Sequence, residues 1–164
     1  MRKLFLLCTA VVLSAVLVGA WFATRPAERG AAFTVSLAVR ADALLPNMQR
    51  LPTAQHELVP PDGAIFPAAQ VTAYEGDSVF DLLQREMRRG GIHLASRFTP
   101  LAGSAYVQAI HNLYEFDAGP LSGWVYLVNG QSPGVGASQQ LLQPGDVVEW
   151  HFTLDLGRDV GVDW

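Results

Sequence analysis

The stretch from Ser122 to Leu154 constrains this chain more than any other, because it reads as two strands with punctuation between them. Gly123-Trp124-Val125-Tyr126-Leu127-Val128 is aromatic and β-branched, the composition that suits a pleated surface. Asn129-Gly130 follows at once and favours a turn with positive φ. Pro144-Gly145-Asp146 then turns the chain into Val147–Thr153, where Val148, Trp150 and Phe152 alternate with Val147, Glu149, His151 and Thr153. That alternation predicts one apolar and one mixed face. The first strand is apolar on both faces, which predicts a central position covered on both sides. Between the strands lies a loop rich in Gly, Ser and Pro, from Gln131 to Ser138.

The rest of the chain fits around this pair. Phe33 to Val39 alternates apolar and small residues and predicts a strand. Four prolines between Ala41 and Pro61 exclude a long helix, leaving a turn near residues 43–51. Ala64–Tyr74 predicts a second strand, broken near Pro67. Ser78 to Arg89 is the convincing helix. Ser78 and Asp81 form a capping box with a shorter acid, and Asp77 is an alternative cap. Val79, Leu82, Leu83, Glu86 and Met87 keep a helical period, and Gly90-Gly91 ends it. Ile92–Ala105 reads as a loop or weak strand, Tyr106–Ile110 as a short strand, and His111–Pro120 as a connection. The expected fold class is α+β: a helix across a mixed sheet of four or five strands, with Leu82, Leu83, Trp124, Val148 and Trp150 buried. A polar tail from Asp155 to Trp164 finishes the last strand.

The N-terminus is an address. Met1-Arg2-Lys3 is basic, and Leu4–Ala23 carries no charge. It is either a cleaved secretory signal, with Val18-Gly19-Ala20 offering a small-x-small site, or a membrane anchor that just reaches the required length. Both place the body outside the cytoplasm, periplasmic, extracellular or facing outward from the membrane. The expected domains are therefore a signal or anchor over 1–23, a linker over 24–32 and a single domain over 33–164. Without Arg2 and Lys3, the 11 basic residues fall to nine against 15 acidic ones, which excludes nucleic acid as a partner. The one cysteine, Cys8, lies in the apolar run, so the folded domain has no disulfide and no cysteine metal site.

No catalytic constellation is legible. His56, His93, His111 and His151 share no metal-ligand spacing, and Ser132 and Ser138 have no nucleophile-elbow pattern. Asp155-x-Gly157-x-Asp159-x-Gly161 resembles a calcium loop but lacks its closing acid, so it reads as a polar turn. The chain is expected not to be an enzyme.

The order strand, strand, "EGDSVFDLL" helix, "YLVNG", loop, "LLQPGDVVEW" resembles β-grasp domains. The sulfur-carrier members need a free Gly-Gly terminus, which Gly161-Val162-Asp163-Trp164 does not supply. A closer resemblance spans Phe33 to Gly161. Residues Tyr106–Phe116, Ser122–Gly130, Pro144–Trp150 and Asp155–Gly161 carry it, and the chain looks like the transcobalamin-like C-terminal domain family of exported bacterial β-grasp modules. The resemblance implies a ligand-binding module with no established cofactor, whose ligand is cobalamin or a related small molecule. It places the ligand beside Trp124, Tyr126 and Asn129 and along the loop through Gln131, Gly134, Gly136 and Ser138. Cobalamin carriers add a large helical domain that this chain lacks, so the resemblance further implies a partner protein or second copy that completes the site. The alternative is a cell-surface module recognising protein or polysaccharide. An exposed aromatic cluster beside the loop would favour the first, and a flat apolar patch with the loop buried would favour the second.

Overall fold

Two antiparallel neighbours and one parallel pairing set the architecture of the computed structural model, which describes residues 30–100 and 103–162. Strand β1 (Ala32–Arg40) pairs antiparallel with β2 (Ala64–Tyr74) and parallel with β7 (Val147–Thr153). Strand β6 (Gly123–Val128) pairs antiparallel with β7, giving a four-stranded mixed sheet in the order β2-β1-β7-β6. A second, antiparallel sheet is built from β3 (Leu94–Thr99), β4 (Ser104–Ile110) and β5 (Leu113–Tyr114). The architecture is α+β, and residues Ala31–Trp164 form one compact unit. The proposed signal or anchor over 1–23 and most of the linker lie outside the described residues.

Alternation decides which face of the main sheet is inside. Val35, Leu37 and Val39 of β1 and Val148, Trp150 and Phe152 of β7 are buried, and they share one face. Helix α1 (Val79–Arg89) covers it with Val79, Leu82, Leu83 and Met87, all fully buried. The five residues expected in the core are buried, Trp124 the least so at 8% exposure. The capping box is present. The Asp81 backbone N–H donates to Ser78 Oγ at 3.2 Å, and the Ser78 N–H donates to Asp81 Oδ2 at 2.9 Å. Asp77 instead accepts from the Tyr74 N–H and pairs with Arg85 at 2.8 Å, which ties α1 to the end of β2. Glu86, the polar member of the apolar stripe, is buried against Arg89 at 2.9 Å.

Several expectations are corrected. Strand β6 is an edge strand, not a central one. Its two apolar faces have a different cause: Trp124 turns into the core, whereas Val125 lines an open groove. Ile92–Ala105 contains a true strand, β3, paired with β4, so there are two sheets where one was expected. The Trp124 side chain of β6 links them, donating its indole N–H to Leu113 O of β5 at 2.9 Å. The proline-rich segment folds as two 3-10 helices, Asp42–Arg50 and Thr53–Leu58, rather than a single turn. Strand β2 is continuous, but its register with β1 slips where Pro67 cannot donate, between the Ala69 and Phe66 pairings. The His111–Pro120 connection begins as a hairpin turn: His111 and Asn112 both have positive φ, and Ile110 pairs with Leu113 across it.

Candidate functional site

Strand β6, the edge of the main sheet, faces the part of β4 that β5 leaves unpaired, without ladder pairing between them. The gap between them is a groove with two recesses. The smaller, about 150 Å³, lies under the Gln131–Ser138 loop and is walled by Trp124, Tyr126, Trp150, Val107, Gly134 and Val135 among others. The larger, about 410 Å³, opens between Phe116, Leu121, Gly123, Ser122 and Leu156. Tyr106, Trp124 and Val125 line both.

Each wall is held by its own local chemistry. The Trp124 ring meets Phe152 edge-on at 5.3 Å, and with the bond to Leu113 this fixes it from behind. Tyr106 donates its hydroxyl to Glu115, and the Arg97 guanidinium sits 5.1 Å over its ring. Tyr126 donates to Val135 O at 2.7 Å and stacks, tilted, on Trp150 at 5.3 Å. Burial pushes the Tyr126 phenol up to about 12. It does the same for Tyr106, where the bond to Glu115 and that carboxylate's charge add to the effect. Both hydroxyls therefore remain protonated near neutral pH and act as hydrogen-bond donors.

The loop is stapled on two sides. The Ala105 N–H donates to Ser138 Oγ at 3.1 Å and the Ser138 N–H to Ser104 Oγ at 3.2 Å, which ties it to β4. The Phe80 N–H donates to Ala137 O at 3.0 Å, which ties it to the start of α1. Of the seven candidate residues, Trp124, Tyr126, Gly134 and Gly136 meet at the small recess. The other three candidates stand apart from it. Asn129 has positive φ and braces the turn into β7, donating to Asp146 Oδ1 at 2.8 Å and accepting from the Val147 N–H at 2.9 Å. Gln131 closes that turn by exchanging backbone bonds with Val128. Ser138 is the staple. Gly136 is small for a reason other than ligand access: a Cβ there would lie 2.2 Å from Ser104 Cβ and Oγ.

The mouth of the larger recess is where local reasoning stopped short. Phe116 and Leu156 are 59% and 47% exposed, and both sit at positive φ, 70° and 51°. A bulky side chain in the left-handed region is strained. Turn bonds hold it there: the Phe116 N–H donates to Ser122 O at 3.1 Å and the Leu156 N–H to Leu121 O at 2.9 Å. Apolar residues set in otherwise polar connections, Phe116 and Leu121 before β6 and Leu156 after β7, were the available signal. The Asp155–Gly161 segment does not finish the last strand, which ends at Thr153; it makes a turn and a short 3-10 helix, Arg158–Val160. Asp159 accepts from the Leu154 N–H at 2.7 Å and from the Thr153 hydroxyl, and Asp155 pairs with Arg158 at 2.7 Å. Among the described residues no group of three or more His, Cys, Asp or Glu converges in a way that could hold a metal.

Residues 76–153, just under half the chain, match the profile of a family described as a domain of unknown function (DUF4430). That span holds α1, the second sheet, the loop and both strands of the groove's far wall. Among curated proteins none matches the chain by sequence. Of solved structures, haptocorrin in complex with Cbi is similar at TM-score 0.52 and 15% identity. The match covers 82% of this chain and 28% of the haptocorrin chain, so this chain spans little more than a quarter of that protein's length. At that identity the likeness concerns the fold. A protein from Ruminococcus gnavus, provisionally named as metal-binding, overlaps at TM-score 0.44 and 11% identity, covering 74% of this chain and 96% of its own. That is too loose a likeness to bear on the site.

Proposed function

We propose that this chain is an exported, non-catalytic ligand-binding module of the transcobalamin-like β-grasp type, and that its ligand, cobalamin or a related corrinoid, lies in the groove between β4 and β6. The observation that carries the reading is the groove's mouth. Phe116 and Leu156 present exposed apolar side chains from positive-φ turns at the rim of the larger recess. Exposed apolar residues converging on a concave site are what a flat, largely apolar ligand needs. The fold shared with haptocorrin agrees with this. The protein- or polysaccharide-recognition reading calls for a flat patch, and the surface here is concave. Because the chain matches only 28% of haptocorrin, affinity should be weak alone and rise when a partner protein or second copy closes the groove.

Titrating the full chain with cyanocobalamin and dicyanocobinamide tests the reading, followed by tryptophan fluorescence and melting temperature. Binding to the native state raises the melting temperature as ligand is added. If neither corrinoid moves either signal at millimolar concentration, the corrinoid assignment is wrong.

A further inference from the structure

Among the described residues, no charged side chain lines the larger recess, and its four polar side chains have spent their hydrogen-bond donors inside the domain. Ser122 Oγ donates to Gly119 O at 2.8 Å and accepts from the Ala118 N–H at 3.2 Å. Thr153 donates its hydroxyl to Asp159 and accepts from the Asp155 and Gly157 N–H groups at 3.1 and 2.7 Å. The Tyr106 hydroxyl goes to Glu115, and the Trp124 indole N–H to Leu113 O. The turns at the rim are closed in the same way, the Phe116, Ser122 and Leu156 N–H groups donating to the Ser122, Gly119 and Leu121 carbonyls. What the side chains of the recess have left to offer is apolar: Val125 within it, and Phe116, Leu121 and Leu156 exposed at its rim.

We propose that the larger recess is a subsite for an uncharged hydrocarbon ring, an aromatic or alicyclic part of the ligand that neither gives nor takes a hydrogen bond. This rests on the groove being a ligand site and goes on to name the chemistry that its larger end selects. Selection works by exclusion. A carboxylate entering the recess would shed its water and meet no cation on the walls. A neutral heteroatom would shed water too, and find every side-chain donor already committed. A hydrocarbon ring gives up no hydrogen bond on entering. Each Å² of apolar surface that it and the rim remove from water contributes about 25 cal/mol. The size suits a ring system: an enclosed apolar cavity of about 150 Å³ accommodates benzene, so an open recess of about 410 Å³ has room for one ring with a second fused to it.

The test is nuclear magnetic resonance on the full chain with ¹³C-labelled Leu and Val methyl groups. The probes are benzene, pyrazine as a ring of the same shape with two hydrated nitrogens, and benzoate as the anion. The expected result is a saturable shift of the Leu121, Val125 and Leu156 methyl signals with benzene, and cross-peaks from its ring protons to the same three residues. Pyrazine and benzoate should bind about tenfold more weakly, because each loses water that the walls do not replace. Leu156→Asn keeps a residue tolerant of the left-handed region at a φ of 51° and should weaken benzene binding about fivefold. Pyrazine or benzoate binding as tightly as benzene overturns the subsite, as do benzene cross-peaks that fall elsewhere. So do methyl shifts that follow protein concentration without any probe, which would mean that a second copy fills the recess. Should Leu156→Asn fail to fold, the three probes on the unsubstituted chain decide. Cyanocobalamin separates the two proposals. A corrinoid that binds while benzene leaves those methyl signals unmoved keeps the groove reading and removes the ring subsite. Benzene binding without any corrinoid binding does the reverse.

Discussion

Replacing Gly136 by alanine should unpin the loop that roofs the smaller recess. The added Cβ would lie 2.2 Å from both Cβ and Oγ of Ser104, and Ser104 is itself buried at 2% exposure with no room to retreat. The loop must lift by more than an ångström to restore van der Waals distance. That movement breaks the two bonds between Ser138 and the Ser104–Ala105 edge of β4, at 3.1 and 3.2 Å. Overpacking costs about 1–3 kcal/mol and each bond about 1 kcal/mol net, so the loss is about 3 kcal/mol with partial relaxation. For a domain of this size that lowers the melting temperature by roughly 10 °C. Denaturant unfolding of the full chain with Gly136→Ala, Ser104→Gly and the double variant checks the mechanism as well as the size. If the clash is the cause, removing the Ser104 side chain relieves it, and the double variant should be more stable than the sum of the singles by about 1–2 kcal/mol. An unchanged midpoint for Gly136→Ala, or strict additivity in the cycle, would refute the packing of residue 136 against Ser104. Gly134→Ala is the control: its φ of 69° carries the left-handed cost of about 1–2 kcal/mol, but nothing lies within 4 Å to clash.

Other substitutions separate stability from binding. Leu83→Asp places a charge where the side chain is fully buried, and should cost several kcal/mol in denaturant unfolding; unchanged stability would mean the helix face is wrong. Phe116→Asn puts a residue tolerant of the left-handed region at a φ of 70°, so relieved strain should offset the lost ring contacts and leave the melting temperature within a few degrees, while ligand affinity in the groove falls about tenfold. Tyr106 and Tyr126 titrate at about 12 in the folded chain against the ordinary phenol value of 10.0, so the stability they contribute is complete below pH 10 and is lost as pH rises from about 10 to about 12. Tyr106→Phe should flatten that fall, and an unfolding midpoint independent of pH over this range would show that the two phenols titrate normally.

Much of the scaffold was legible because its signals are local. The Ser78–Asp81 box, the stripe from Val79 to Met87, the alternation through Val148, Trp150 and Phe152, and the Asn129-Gly130 turn each need only neighbours in sequence. The place of β6 was not legible. Apolar residues on both faces fit a central strand and an edge strand beside a groove equally well, and only pairing distinguishes them. The site was half legible for the same reason. Trp124 and Tyr126 announced themselves as aromatics on a strand, but Tyr106, Phe116 and Leu156 join them only because strands from two sheets approach. Gly136 shows the limit from the other side. A small residue leaves space, and sequence does not say whether a ligand or Ser104 fills it.

The parallel pairing of β1 with β7 has a kinetic consequence. The first and last strands of the sheet are neighbours, with Leu37 beside Val148 and Val39 beside Trp150, although more than a hundred residues separate them in sequence. Closing so long a loop delays the reward of the contact, which slows folding. Until Thr153 has been made, the nascent chain can form the β1–β2 hairpin but no central strand to shelter it, and an isolated hairpin is at best marginal in water. Folding of the main sheet therefore waits for its last strand. Release of a product ending before Val147 leaves one long edge of β1 unpaired, with its buried valines and leucine uncovered, a template for pairing with other copies of itself.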